Sequence, residues 1–149
     1  MIVRALPEQA EALTRIAVAA KRHWKYPERW MEIWLPVLTV SGEYVSVNET
    51  WVAIVGGEPA AWYSLKETDG ELWLDNLWVL PGHMGKGIGG ELFNHALERS
   101  RLRGAGILKI EADPNAEQFY LRMGARCIGE HRGEMEGEPR ILPVMAVGL

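Results

Sequence analysis

The chain has a single cysteine, Cys127, among its 149 residues. One thiol excludes an internal disulfide and any metal site built from several cysteines. Within "GARCIGE", Cys127 is expected to be a small buried strand residue rather than a nucleophile. Long apolar runs are absent too: no 18 consecutive apolar residues occur, so no membrane-spanning helix is expected. The opening "MIVRALPEQAEAL" puts Arg4 and Glu8 where a secretory leader has its apolar region, and no signal peptide is read there. A soluble protein in a reducing, cytoplasmic setting is the expectation. Excess positive charge is also missing. Sixteen Lys and Arg stand against twenty Asp and Glu, a formal net charge of -4, so no basic field exists for nucleic acid. Any phosphate must be held locally. No repeat, charge block or low-complexity linker marks a boundary, and 48% hydrophobic residues with seven Trp suffice for one sizeable core. A single domain over 1–149 is expected.

Strand and helix periods alternate along the chain. "IVRAL" reads as a strand, and "PEQAEALTRIAVAAKRHW" spaces Leu13, Ile16, Ala17 and Ala20 as one helical face. "PERWMEIWLPVL" is a second helix, entered by Pro27 and expected to end near Pro36. "TWVAIV", a turn at "GGEP", and "AAWYSLKE" form a hairpin. "GELWLDNLWVL" is a strand, and a helix from Gly87 carries Ile88, Leu92, Phe93, Ala96 and Leu97 before Gly104 caps it. "ILKIEA" is a strand. "DPNAEQFYLRMGA" is a helix punctuated by Asp113 as N-cap, Pro114 at the first position and Gly124 at the close. "RCIGEH" and "RILPVMAV" are the final strands. This order predicts an α/β domain with a mixed sheet: hairpin-linked strands, then a βαβ crossover.

The chemistry is expected at that crossover. In "LWVLPGHMGKGIGGELFNHAL", four glycines (Gly85, Gly87, Gly89, Gly90) precede a helix. Bare backbone amides, with the unpaired N–H groups and positive dipole end of the helix, suit phosphate oxygens. An idle flexible turn is the bland alternative. A dinucleotide site is another, because Gly85, Gly87 and Gly90 satisfy G-x-G-x-x-G with Glu111 near the ribose-binding position; "PGHM", however, separates the strand from the first glycine. A Walker loop is excluded, since no Lys-Ser or Lys-Thr pair follows the glycines.

"LDNLWVLPGHMGKGIGGELFNHAL" and "IEADPNAEQFYLRMGARCIGE" resemble the two signature motifs of the GCN5-related N-acetyltransferase superfamily, which binds acetyl-CoA. The loop motif falls on Met84-Gly85-Lys86-Gly87-Ile88-Gly89, and Ala116, Phe119 and Tyr120 match the second motif. "AAKRHWKYPERWM" and "EPRILPVMAV" are similar to small bacterial members, so the likeness spans most of the chain. The resemblance implies a single-domain fold with a mixed, mostly antiparallel twisted sheet of about six to seven strands and about four helices. It implies acetyl-CoA as cofactor, CoA as product and no metal. Two departures stand out: Met84 replaces the usual polar residue, leaving the amides with His83 and Lys86 at the pyrophosphate, and Asp113 occupies the usual Asn position, with Asn115 two residues on.

Transfer from a thioester to an amine requires a held cofactor, a deprotonated amine, a stabilised oxyanion and a protonated leaving thiolate. The resemblance implies that "DNLWVLP" is splayed from its neighbour by a bulge. Leu77, Trp78 and Val79 would then meet the pantetheine arm, and Met84, Gly85, Lys86, Gly87, Ile88, Gly89 and Gly90 the pyrophosphate. Asn115 is a further candidate contact. Tyr120 is the general acid by position, with a core role as the alternative from spacing. Asp75 is the candidate base, with a solvated strand residue or a turn-side hydrogen-bond partner as the alternatives. His23, Trp24, Tyr26, Trp30 and Trp34 are expected to line the acceptor pocket, because specificity in this superfamily resides in the first two helices; packing against the sheet is the alternative. The acceptor is a small-molecule or peptide amine, with no nucleic acid or membrane partner. Another acyl group, an O-acceptor or a non-catalytic acyl-CoA-binding module remain open. The strand "RILPVMAV", read as an exposed edge, offers a homodimer contact unless Pro143 protects it.

Overall fold

The computed structural model describes every residue, Met1–Leu149. Strand β1 (Ile2–Arg4) leads through a short 3-10 turn into helix α1 (Ala10–Arg22), where Leu13, Ile16, Ala17 and Ala20 are all buried, as their spacing requires. Helix α2 (Glu28–Leu38) begins behind Pro27 and ends two residues after Pro36, which lies inside its last turn. Pro36 deletes one donor, the ladder resumes with the Thr39 N–H bonded to the Leu35 carbonyl at 3.0 Å, and buried Leu38 anchors the last turn. A short helix not assigned from the sequence follows, α3 (Gly42–Val47); its N-cap Ser41 accepts from the Tyr44 N–H at 3.0 Å.

Strands β2 (Glu49–Val55), β3 (Glu58–Thr68) and β4 (Glu71–Val79) are successive antiparallel neighbours, and the Gly56-Gly57 turn takes φ of +59° and +81°. Helix α4 (Ile88–Leu102) crosses over to β5 (Ile107–Glu111), which lies parallel to β4. A 3-10 turn at Pro114–Ala116, helix α5 (Glu117–Arg122) and the hairpin β6 (Arg126–Met135) and β7 (Glu138–Gly148) complete the chain. The sheet order is β1-β2-β3-β4-β5-β7-β6, seven strands with one parallel pair. This is the mixed, mostly antiparallel architecture expected, with α3 as a fifth helix. A doubly wound parallel sheet, which a dinucleotide site presupposes, is not present. No helix is long and apolar enough to cross a membrane.

Two expectations about the last strands are corrected. β7 is not an edge: it inserts between β5 and β6, and Pro143 pairs with Glu130 inside the hairpin. Its apolar Met145, Ala146 and Val147 are buried, whereas β6 is polar and exposed along nearly its whole length. The strand that can tolerate water takes the edge. For the same reason Cys127, on β6, is exposed rather than buried.

The sheet separates two apolar clusters. Tyr63, Leu65, Leu74, Phe93, Ile110 and Met145 pack with α4 and α5 on one face; Leu13, Ile16, Met31, Val45 and Trp62 pack with α1, α2 and α3 on the other. Buried Trp62 finds a partner for its indole N–H in the Leu13 carbonyl at 2.9 Å, tying α1 to the middle of the sheet.

Candidate functional site

Two irregularities of β4 open the sheet. Against β3, Asn76 pairs with Ser64 but Leu74 pairs with Leu65, so Asp75 is an extra residue, a β-bulge. The extra residue shifts side-chain parity: Leu72 and Leu74 face the α4 side before it, and Leu77 and Val79 face that side after it. Against β5, β4 makes one residue pair, Trp73 with Lys109, and the strands then part. Beyond that pair, the edge of β4 over Leu77–Val79 has no strand partner.

The gap is the floor of a cleft of about 720 Å³. Of the residues the sequence nominates, Asp75, Leu77, Trp78, Val79, Met84, Gly85, Gly87, Gly89, Gly90, Asn115 and Tyr120 line it, and so does Trp24. Lys86 is exposed outside the lining, and Ile88 packs into the core. At the cleft mouth Gly85 and Gly87 take φ of +77° and +84°, and a Cβ on either would project into open space. Gly87 is the N-cap of α4, so the N–H groups of the first helical turn lack intrahelical acceptors and face the same region. His83 Nδ1, at the turn before the loop, is buried without a hydrogen-bond partner. Free amides, a helix dipole and an unpartnered imidazole nitrogen together fit an anionic diphosphate.

Tyr120 closes the inner end. It is 6% exposed, its ring packs on Phe93 and Phe119 at centroid distances of 5.6 and 5.1 Å, and its hydroxyl makes no hydrogen bond to the protein. Both sequence readings of this residue therefore describe its position: the ring is core and the hydroxyl is offered to the cleft. Burial pushes the phenol above its ordinary value, and the negative charge of Asp113 adds to the effect, so Tyr120 is a protonated donor at neutral pH.

A polar network that the sequence reading missed surrounds the bulge. The Tyr44 hydroxyl, from α3, donates to Asp75 Oδ2 and lies 2.8 Å from buried Ser64 Oγ; Asn76 Nδ2 donates to Ser64 Oγ at 3.0 Å and to the Tyr44 hydroxyl at 3.2 Å. The Trp78 indole N–H donates to Asn76 Oδ1 at 2.9 Å. Burial first, and then the hydrogen bond to Asp75, raise the Tyr44 phenol. Asp75 is thereby fixed as an acceptor at the gap. The one signal for this network was polar Ser64 within the apolar run "AAWYSL" and the Asp75-Asn76 pair within "LWLDNLWV".

Asp113 is the hub of a second cluster. As N-cap it accepts from the Asn115 N–H at 2.8 Å, as the sequence requires. Its carboxylate also accepts from Lys21 Nζ at 2.7 Å, the Tyr26 hydroxyl at 2.9 Å and Arg140 Nη2 at 3.3 Å. The Asn115 amide is turned inward, donating to the Tyr26 hydroxyl at 2.9 Å and to Asp113. Lys21 is pulled below its ordinary value by burial, against the opposing pull of Asp113, whose own carboxyl is held low by Lys21 after burial is overcome. Asp113→Asn keeps the cap but leaves two nearly buried cations without a counter-charge. A loss of about 2–3 kcal/mol is expected, read as a fall in Tm of roughly 5–10 °C. An unchanged melting curve would show that the cluster does not hold the helices together.

The aromatic residues of α1 and α2 divide. Trp24 lines the cleft, and Trp34 lines a second cavity of about 490 Å³ that shares Asp75, Asn76, Trp78, Glu111 and Asp113 with it. His23, Tyr26 and Trp30 line neither. His23 packs on Trp24 at 5.1 Å; Tyr26 stacks on Trp30 at 6.0 Å and meets Trp34 at 4.9 Å, and the Trp30 indole N–H donates to Glu136 at 2.7 Å.

Over residues 11–125 the sequence matches the acetyltransferase (GNAT) family model. The chain belongs to the GNAT acetyltransferase family. Among solved GNAT structures, the GCN5-related N-acetyltransferase of Rhodopseudomonas palustris, also described as a class-II aminotransferase, superposes with a TM-score of 0.84 at 26% identity, covering 100% of this chain and 95% of that one. The PaiA N-acetyltransferase of Thermoplasma acidophilum, solved in complex with coenzyme A, gives a TM-score of 0.81 over 100% and 98% of the two chains; at 17% identity this likeness concerns the fold. A curated relative, the streptothricin acetyltransferase of Streptomyces lavendulae, is 45% identical over 61 residues, which is 39% of this chain and 32% of that protein. The chain thus spans about a third of the length of the curated relative it matches.

Proposed function

We propose that this GNAT protein transfers an acetyl group from acetyl-CoA to a primary amine. The observation that carries the reading is convergence: the unpaired edge of β4, the free amides of the glycine loop and the unbonded hydroxyl of buried Tyr120 all border one cleft. Acetyl-CoA supplies an acyl thioester, whose carbonyl carbon is the electrophile. Three parts of the molecule find suitable groups in the cleft. Gly85, Gly87 and the first turn of α4 suit the pyrophosphate, with His83 Nδ1 able to satisfy its missing bond there. The backbone of Leu77–Val79 suits the amides of the pantetheine arm, which would complete the open strand edge as an added strand does. A backbone N–H of the same segment would stabilise charge on the carbonyl oxygen.

Tyr120 is the proton donor to the departing sulfur. An ordinary phenol near pKa 10 is a weaker acid than a thiol near 8.5, and burial widens that gap from the phenol's side. The same desolvation also destabilises a thiolate formed beside it, which narrows the gap again. Asp75, on the bulge and held by Tyr44, accepts the amine proton through water. Trp24 and Trp34, with Asp75 and Trp78, border the acceptor side.

The test is protein-dependent release of free thiol from acetyl-CoA in the presence of primary amines. One N-acetyl product per thiol is expected. Saturable acetyl-CoA binding without thiol release, across amines and alcohols alike, would replace the transferase reading with an acyl-CoA-binding module.

A further inference from the structure

The second cavity is lined by charges of both signs. At the lip it shares with the cleft stand two exposed carboxylates, one from each parted strand: Asp75 at the bulge of β4 and Glu111 at the end of β5. Neither is paired with a Lys or Arg. Asp75 is bonded to the neutral groups of Tyr44 and Asn76, and Glu111 meets His131 Nδ1 at 3.1 Å. Lys21, Lys66 and Arg140 also border the cavity, and Asp113, which lines both cavities, is the one carboxylate shared by the first and last of them. Lys66 contacts no carboxylate.

Arg140 is held as a receptor is held. Its guanidinium lies 4.9 Å from the ring centroids of both Tyr26 and Trp34, and Nη2 donates to Asp113 at 3.3 Å and to the Tyr26 hydroxyl at 3.4 Å. The Nε and Nη1 donors have no protein acceptor. A planar guanidinium, fixed on its faces and anchored at Nη2, leaves its Nε–H and Nη1–H groups free to donate to a carboxylate.

We propose that the acceptor amine also carries a carboxylate: an amino-acid-type zwitterion, its ammonium between Asp75 and Glu111 and its carboxylate on Arg140. This rests on the transferase reading. A polycationic amine would satisfy the lip but set its other charges against Lys21, Lys66 and Arg140, a repulsion that selects against it. The transfer balances simply. The ammonium gives up one proton toward Asp75 and solvent, its nitrogen lone pair forms the N–C bond, a second proton leaves the nitrogen to solvent as the C–S bond breaks, and sulfur takes a proton from Tyr120. Ammonium and thioester become amide, thiol and one released proton, and Tyr120 is reprotonated from solvent.

The test is a panel of free L-amino acids, each set against its own carboxamide and its decarboxylated amine, assayed by thiol release from acetyl-CoA. In the wild-type protein kcat/KM for the preferred acid is expected to exceed that of its carboxamide by about 10- to 100-fold, mostly through KM. Arg140→Lys keeps the charge beside Asp113 but removes the fork, and should bring the acid-to-amide ratio close to one. Carboxamides or decarboxylated amines that react as well as the acids, or a ratio untouched in Arg140→Lys, would overturn the proposal and leave the transferase standing. Thiol release with none of the three classes, while acetyl-CoA still binds, would overturn both.

Discussion

Tyr120→Phe is expected to lower kcat by about 10²- to 10³-fold and to leave acetyl-CoA affinity within about twofold of wild type. The substitution removes one oxygen that bonds nothing in the protein, so the fold loses only a cleft-facing hydroxyl. The ring contacts to Phe93 and Phe119 remain. A group used only when the sulfur departs lowers kcat and kcat/KM together, with binding intact. Stopped-flow thiol release beside calorimetric titration separates the two quantities. Unchanged turnover would assign Tyr120 to the core alone and pass the proton to water. Loss of turnover together with affinity would instead make it a contact residue for the cofactor.

The second large effect is Gly87→Glu, for which we expect at least about 100-fold weaker acetyl-CoA binding with the fold retained. At φ +84° any side chain is strained, which costs roughly 1–2 kcal/mol and lowers Tm by about 2–8 °C. The Cβ of the new side chain finds no protein atom within 4 Å. It occupies the space in front of the α4 amides, and its carboxylate repels a diphosphate. Gly87→Ala carries the same backbone strain without the charge, so the difference between the two variants isolates the anion site. Equal titration curves for Gly87→Glu and wild type would move the pyrophosphate elsewhere in the cleft.

Much of the fold is legible in the sequence because its signals are local. The apolar stripe of α1, the Gly56-Gly57 hairpin, Asp113 and Pro114 opening the last helical segment, and the glycines before α4 each act through backbone geometry within a few residues. Those same local signals pointed to the cleft proposed for the cofactor, because a phosphate site at a helix start needs nothing from distant chain. The bulge in β4 was implied by the family resemblance, and the structure carries it as the shift of core-facing positions from Leu72 and Leu74 to Leu77 and Val79.

What only the tertiary structure decided depends on competition between distant segments. Pro36 could be absorbed because buried Leu38 secures the turn after it. β7 moved inside because β6, with polar Glu130, His131, Arg132 and Glu134, is the strand that can face water, a comparison neither strand expresses alone. The same holds at the acceptor side. The family resemblance implied that "HWKY" and the α2 tryptophans line a pocket; Tyr26 and Trp34 are engaged by Lys21 and Arg140, residues 119 apart in number, both drawn to Asp113. Burying one carboxylate demands compensation from whatever cations the fold brings near. The local backbone chemistry of the cleft was therefore determined by sequence, and the charge pattern beyond it by which distant side chains had to neutralise one another.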